Sequence, residues 1–278
     1  MIVDETADIL QRLYGKALNH IVIEGLVVGI FFTGVKLSSG SGGVSYTPVS
    51  DIHKNPCCSN MPLQLGAPGN LRGASVSEIL NTSDDSPLLN TVRLVVLNAL
   101  SSRFFTKNRY IMANNRDVLD VVNLKSVKRI AMVGAISPIL SRLKIIDGIG
   151  LYVIEKKRQS LHKDEIRYYV PSKKAGEIIP RCDTVIITGA SVANGTIDEL
   201  LGYTSPDARV IVTGPTVSFL PDALFQRHVH IVSGAMVTAV DKMLDILAQG
   251  GGAYHLFQAS CLRKINIIRD ERNDQANS

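Results

Sequence analysis

Apolar positions Ile9, Leu10, Leu13, Ala17 and Leu18 recur at helical spacing, so residues 2–18 are expected to form an amphipathic helix. The period then changes. Val22, Ile23, Leu26, Val27, Val28, Ile30, Phe31 and Phe32 are rich in β-branched and aromatic types, and glycines punctuate them. This predicts strands with a tight bend near Gly29, a flexible turn over 38–43 and a third short strand over 44–47. Residues 48–72 hold Pro48, Pro56, Pro62 and Pro68 and read as a long irregular excursion. A short helix is expected over 74–80. A second begins at Ser86-Pro87, with serine as cap and proline at the first helical position. Its apolar run through Ala99 marks it as core-facing.

From Lys128 onward the pattern repeats. Short, continuously apolar segments over 129–134, 151–155, 184–189, 209–214 and 228–232 alternate with helical segments beginning near Ser137, Ser172, Thr196 and Pro221. A last helix is expected over 237–249. Apolar strands alternating with helices imply a parallel sheet covered on both faces, a Rossmann-like α/β domain. Residues 106–115 are polar and turn-rich and are taken as the junction. The expected division is therefore 1–112, a smaller α+β domain, and 113–278, the Rossmann-like domain. A bridging helix is expected over 116–122, and a frayed tail over 269–278.

Bulk properties narrow the function. Of 278 residues, 45% are hydrophobic and 20% charged, ordinary values for a globular protein with a real core. The net charge of +5 is scattered, with small groups at Lys156-Lys157-Arg158 and Lys173-Lys174, and Trp is absent. Neither feature favours nucleic-acid binding. No apolar run reaches the roughly 20 residues that span a bilayer. Cys57, Cys58, Cys182 and Cys261 do not resemble a secreted disulfide framework. A cytoplasmic setting without membrane or nucleic-acid partners is expected.

In open α/β sheets, ligands lie beyond the carboxyl ends of the strands. Here those ends carry Gly134 to Ser137, Glu155, Thr188-Gly189 through Asn194 to Thr196, and Gly214-Pro215-Thr216. Glycine permits close approach, and Thr, Ser and Asn offer donors and acceptors. Thr196 and Glu199 match a capping box, and the same helix start would present free N–H groups to an anion. Glu155 is the acid among these groups, suited to hydroxyl or amino groups of a ligand, or else to an ion pair with Lys156 or Lys157. The turn after the first strand of this part is not GxGxxG, which leaves a dinucleotide cradle unsupported although Glu155 sits where ribose-binding acids occur. His228 and His230 share one side of a strand and read as edge-strand surface residues before metal ligands. Asp51, His53, Cys57 and Cys58 form a second metal candidate of loose spacing, for which a free-thiol pair in a mobile loop is the alternative. No nucleophile or proton-transfer pair stands out, and the cofactor is unknown.

Several passages together resemble a bacterial and archaeal family of unknown function that carries a heavy-metal chelation label. They include 29–37 with Thr33-Gly34, 44–48, Asn98-Ala99-Leu100, Glu155, 183–196 and 212–221. The resemblance implies an enolase-amino-terminal-like domain followed by a Rossmann-like domain, with the site in the cleft between them and Thr33 and Gly34 facing Asn194 across it. It further implies a small polar or anionic organic ligand, in heavy-metal chelation or metallophore metabolism. Whether the chain is an enzyme is open, as is a homo-oligomer. An enzyme with a nucleotide-type cofactor and a direct metal binder remain the alternatives.

Overall fold

The computed structural model describes residues 1–52, 65–82, 86–106, 108–124 and 127–270. It is a mixed α/β structure with two separate sheets. The first part opens with α1 (Ile2–Tyr14), prolonged by a 3-10 segment over Gly15–His20. An antiparallel meander follows: β1 (Ile23–Val28), β2 (Phe32–Leu37) and β3 (Gly42–Tyr46), in that spatial order. Then come α2 (Val49–Ile52), α3 (Val76–Leu80) and α4 (Pro87–Ser101). Ser86 caps α4 by accepting the Leu89 N–H, with Pro87 in its first turn.

The second sheet has eight strands: β4 (Ile111–Asn114), β5 (Arg129–Val133), β6 (Gly150–Glu155), β7 (Tyr169–Pro171), β8 (Thr184–Thr188), β9 (Arg209–Thr213), β10 (Val229–Val237) and β11 (Leu262–Ile268). Their order is β4-β11-β10-β9-β8-β5-β6-β7. The run from β10 to β7 is parallel, and β11 and β4 are added antiparallel at one edge. The interleaved helices are α5 (Ser137–Leu143), α6 (Ala175–Ile178), α7 (Ala190–Ala193), α8 (Ile197–Gly202), α9 (Asp222–Phe225), α10 (Val240–Ala248) and α11 (Ala253–Gln258).

The expected strands of the second part all form. Three more are present. The polar stretch 106–115 holds β4, which gains its strand character by pairing with β11. The expected closing helix is followed by α11 and β11, and β7 extends the opposite edge. The expected helix over 116–122 is only a 3-10 turn, Val118–Asp120.

Helix α4 is the pivot. Leu89 and every residue from Thr91 to Ser101 are buried, as suits a helix packed on all sides. It meets β2 and β3 on one side and α1, α3 and α7 on others. Gly43 allows this. A Cβ there would stand 2.0 Å from the Val95 carbonyl oxygen, so only glycine lets β3 approach the α4 backbone. The other face of the meander is covered by α10. Leu244 and Leu247 press onto Gly25 and Gly34, where an added Cβ would lie 3.2 and 2.5 Å from their methyl groups. The small sheet is thus sandwiched between one helix of the first part and one of the second.

Candidate functional site

The carboxyl ends of β5, β6 and β8 lie side by side. The turn after β5 starts at Gly134, whose φ of +90° lies in the left-handed region, with Thr188 beneath it. A Cβ there would be 2.8 Å from Thr188 Cγ2. This turn commits its own backbone donors. Gly134 N–H donates to Ile154 O at 2.9 Å, Ala135 N–H to Glu155 Oε2 at 3.1 Å, and Ile136 N–H to Gly134 O at 3.0 Å. No free row of N–H groups remains there for a pyrophosphate, which agrees with the missing glycine pattern.

Glu155 is half-buried at the end of β6. Its Oε1 accepts the N–H groups of Lys156 at 2.6 Å and Lys157 at 3.1 Å. The structural alternative expected for Glu155 was an ion pair with these lysines. The structure instead has the carboxylate bond their backbone, and that of Ala135, stitching two turns together.

The end of β9 behaves differently. Gly214 (φ +129°) and Pro215 lead into a 3-10 turn over Pro215–Val217 that docks on β3 and α4. Thr216 is 2% exposed, and its hydroxyl accepts the Tyr46 N–H at 3.0 Å. Asn98, equally buried, donates to Val44 O at 2.8 Å and to Thr216 O at 3.1 Å. Ser218 donates to Pro215 O at 2.6 Å and accepts the Ala235 N–H at 2.8 Å. Gly189, at the end of β8, packs against Thr216 and Val217, and its N–H donates to Thr213 O at 2.7 Å. Gly189, Gly214, Pro215 and Thr216 therefore build the joint between the two parts of the chain.

Tyr46 stands where the joint meets the open turns. It is half-buried, and its hydroxyl has no hydrogen-bond partner among the described residues. Burial pushes its phenol above the ordinary value, and the nearby negative charges of Asp51 and Glu155 push it further. Asp51 also lines a cleft of about 250 Å³ between α1, the start of α4 and the α7–α8 turn. Asn90, Arg93, Asn194 and Gly195 face the same cleft. Arg93 is held in place by donating to Leu80 O at 3.0 Å and pairing with Asp4 at 2.8 Å.

The α7–α8 turn corrects two expectations. Thr196 makes no side-chain cap, so there is no capping box; Glu199 instead accepts the Tyr203 hydroxyl at 2.6 Å. The N–H and hydroxyl of Thr196 both donate to Asn194 Oδ1, at 3.2 and 2.7 Å, and the N–H also reaches Ser191 O. Gly195 N–H donates to Val192 O. The donors expected to meet an anion are taken up inside the turn.

Thr33 and Gly34 lie away from this cleft. Thr33 is fully buried and shares a 2.9 Å hydrogen bond with Thr47, while Gly34 sits under α10. His228 and His230 are not on an edge strand, because β10 lies between β9 and β11. His228 precedes the strand with φ +59° and contacts Arg269, and His230 Nδ1 accepts the Val210 N–H at 3.1 Å. The candidate ligands His53, Cys57 and Cys58 lie outside the described residues. Among those described, no group of three or more His, Cys, Asp or Glu side chains could hold a metal ion, and Cys182 and Cys261 are buried free thiols. No helix among the described residues is long and apolar enough to cross a membrane.

Tyr46, Arg93 and Asn98 were not singled out from the sequence as site residues, and Asp51 only as a member of the loose metal candidate with His53, Cys57 and Cys58. Tyr46 and Asn98 do fall within the passages that carry the family resemblance. Arg93 gave no signal, since an arginine inside an apolar helix has no local pattern.

Comparison with known proteins agrees with that resemblance. The chain is 26% identical over 176 residues to an uncharacterized protein of Methanocaldococcus jannaschii, a match covering 61% of this chain and 63% of that protein's length. Its fold is similar to that of a DUF364-family protein with unknown function from Pyrococcus horikoshii (TM-score 0.76, 21% identity, 97% of this chain and 100% of the other). It is also similar to a DUF364-family protein with unknown function from Desulfitobacterium hafniense (TM-score 0.67, 20% identity, 95% and 98%). Residues 11–101 match the DUF4213 family and residues 117–266 the DUF364 family, both described as "Putative heavy-metal chelation". With more than half of its length matched by one of these profiles, the chain belongs to the DUF364 family.

Proposed function

We propose that this protein binds a small polar organic ligand where the ends of β5, β6 and β8 meet β3 and α2. The observation that carries the reading is Tyr46. A half-buried phenol without a hydrogen-bond partner among the described residues, close to two carboxylates from different parts of the chain, keeps its donor and acceptor available to a ligand. Ligand hydroxyl or amino groups would bond Tyr46, Asp51 and the remaining lone pairs of Glu155, and the cleft beside Asp51 gives room for the rest of the molecule. The family description puts the setting in heavy-metal chelation, with the ligand as the chelating molecule or its precursor. No step is assigned to a metal, because the described donor sets do not form a metal centre.

The test is native mass spectrometry of the purified protein, followed by titration of whatever molecule co-purifies. Tyr46→Phe and Asp51→Asn should each weaken binding of that molecule by about 1–2 kcal/mol, the range for losing one hydrogen bond, and Tyr46→Phe should do so with little change in thermal stability. Unchanged affinity in both variants would remove this site from consideration. Retention of a nucleotide would favour the cofactor reading instead.

A further inference from the structure

The backbone donors beside the site are committed, so any negative charge on the ligand must be met by side chains. Among the described residues, the stretch after β6 and β7 concentrates them. Residues 156–181 contain eight lysines and arginines against three acids, an excess of five, and the net charge of the whole chain is also +5. The rest of the sequence is formally neutral. Within that stretch, Lys156, Lys157 and Arg158 follow β6, and Lys173 and Lys174 follow β7. The two strands are parallel neighbours with Glu155 opposite Pro171, so both groups emerge at the same end of the sheet, roughly 5 Å apart at the strands. This is the end that carries Gly134, Glu155 and Thr188.

All five side chains are exposed, and none has an ion pair among the described residues. Several cations elsewhere are matched, among them Lys36 with Glu24 and Asp241, Lys144 with Asp164 and Glu165, and Arg227 with Glu5 and Asp198. Asp164 and Glu165 are engaged by Lys144, and Glu177, three residues beyond Lys174, is the one exposed acid of the stretch without an ion pair among the described residues. Glu155 is turned to three backbone N–H groups. Like charges grouped beyond the ends of two adjacent strands repel one another, a repulsion relieved when an anion binds.

We propose that these five side chains form an anion-binding rim on the candidate site, and that its ligand carries two or more negative charges as phosphate or carboxylate. This rests on the reading of Tyr46 and its neighbours as a ligand site, and adds the ligand's charge class. The polar body of the ligand occupies the strand ends, and its anionic arm reaches past Glu155 to the rim. The patch is confined to the ends of two adjacent strands and includes no aromatic side chain, which suits a small molecule and not a nucleic-acid track.

Inorganic pyrophosphate and citrate, titrated calorimetrically in metal-free buffer, serve as probes. Three variants are compared: Lys156→Ser/Lys157→Ser/Arg158→Ser, Lys173→Ser/Lys174→Ser, and all five together. A double variant on α1 and the 3-10 segment that prolongs it, Arg12→Ser/Lys16→Ser, controls for net charge. The fivefold variant should bind both anions about tenfold or more weakly, with the two partial variants between it and wild type and the control close to wild type. Its melting temperature should hold or rise. Equal losses in the control, or no binding by wild type at millimolar anion, would overturn the proposal. So would tighter binding of a short RNA or DNA than of either small anion at the same salt. Binding of glycerol, titrated as a neutral probe, that weakens in Tyr46→Phe, together with anions indifferent to the rim variants, would sink the rim alone. Anion binding that depends on the rim but not on Tyr46 would retain the rim and discard the strand-end site.

Discussion

Two strand ends in this molecule look alike in sequence and behave in opposite ways. The end of β9, Thr213-Gly214-Pro215-Thr216, is closed. Its hydroxyls and carbonyls are used by Tyr46, Asn98, Gly189 and Ser218, and Thr216 is almost inaccessible. The ends of β5 and β6 remain half-exposed, with Glu155 and Tyr46 retaining hydrogen-bonding capacity. Glycine, threonine and proline after a strand thus announce close approach, not its purpose. What separates a joint from a site is whether the polar atoms already have partners.

The strongest way to break this contrast is at the closed end. Asn98→Ala would strip buried donors from Val44 O and Thr216 O, and should cost about 2–4 kcal/mol by urea denaturation, given about 1–3 kcal/mol per buried polar group left unsatisfied. A loss below about 1 kcal/mol would mean the joint is held by apolar packing alone.

A smaller effect is expected at the open end. In Glu155→Gln one oxygen becomes an amide that cannot accept the N–H groups facing it. The loss should be about 1–2 kcal/mol, less than for Asn98 because water reaches the site. Folding of this variant is therefore not indifferent, as it would be for a solvated acid, and ligand affinity must be compared at temperatures where both proteins are folded.

The smallest effect concerns Tyr46 and is spectroscopic. Its folded phenol lies above the ordinary value of 10.0, so the unfolded chain gives up this proton first. Its contribution to stability is complete below pH 10 and is lost as pH rises through the folded value. Subtracting the alkaline absorbance titration of Tyr46→Phe from that of wild type should isolate one phenol with a midpoint above 10. A midpoint at or below 10 would mean the acids and burial around Tyr46 have no effect on it.

Much of the large sheet was legible because its parallel strands are buried on both faces and read as continuous apolar runs, such as Thr184–Thr188 and Arg209–Thr213. The antiparallel edge was not. In β11, Arg263, Lys264 and Asn266 interrupt the apolar positions, and the four-residue β4 is a strand only because β11 lies beside it. Less of the candidate site was readable. Glu155, Thr188 and Gly189 were found because they end strands. Whether Thr196 caps its helix or Asn194 takes its protons depends on the turn's geometry, which residue types do not determine. Asp51 and Arg93 reach the cleft only through the packing of α4.

The position of α10 has a consequence for the order in which the molecule is made. The meander of β1 to β3 leaves the ribosome early, but the helix that covers its outer face follows roughly 200 residues later, on the order of 10–40 s at usual synthesis rates. Until then Val27, Phe32 and Val44, which pack with α10 in the finished core, have no cover on that side. The small sheet is synthesised well before the helix that completes it, and the nascent chain carries an open apolar face throughout that interval.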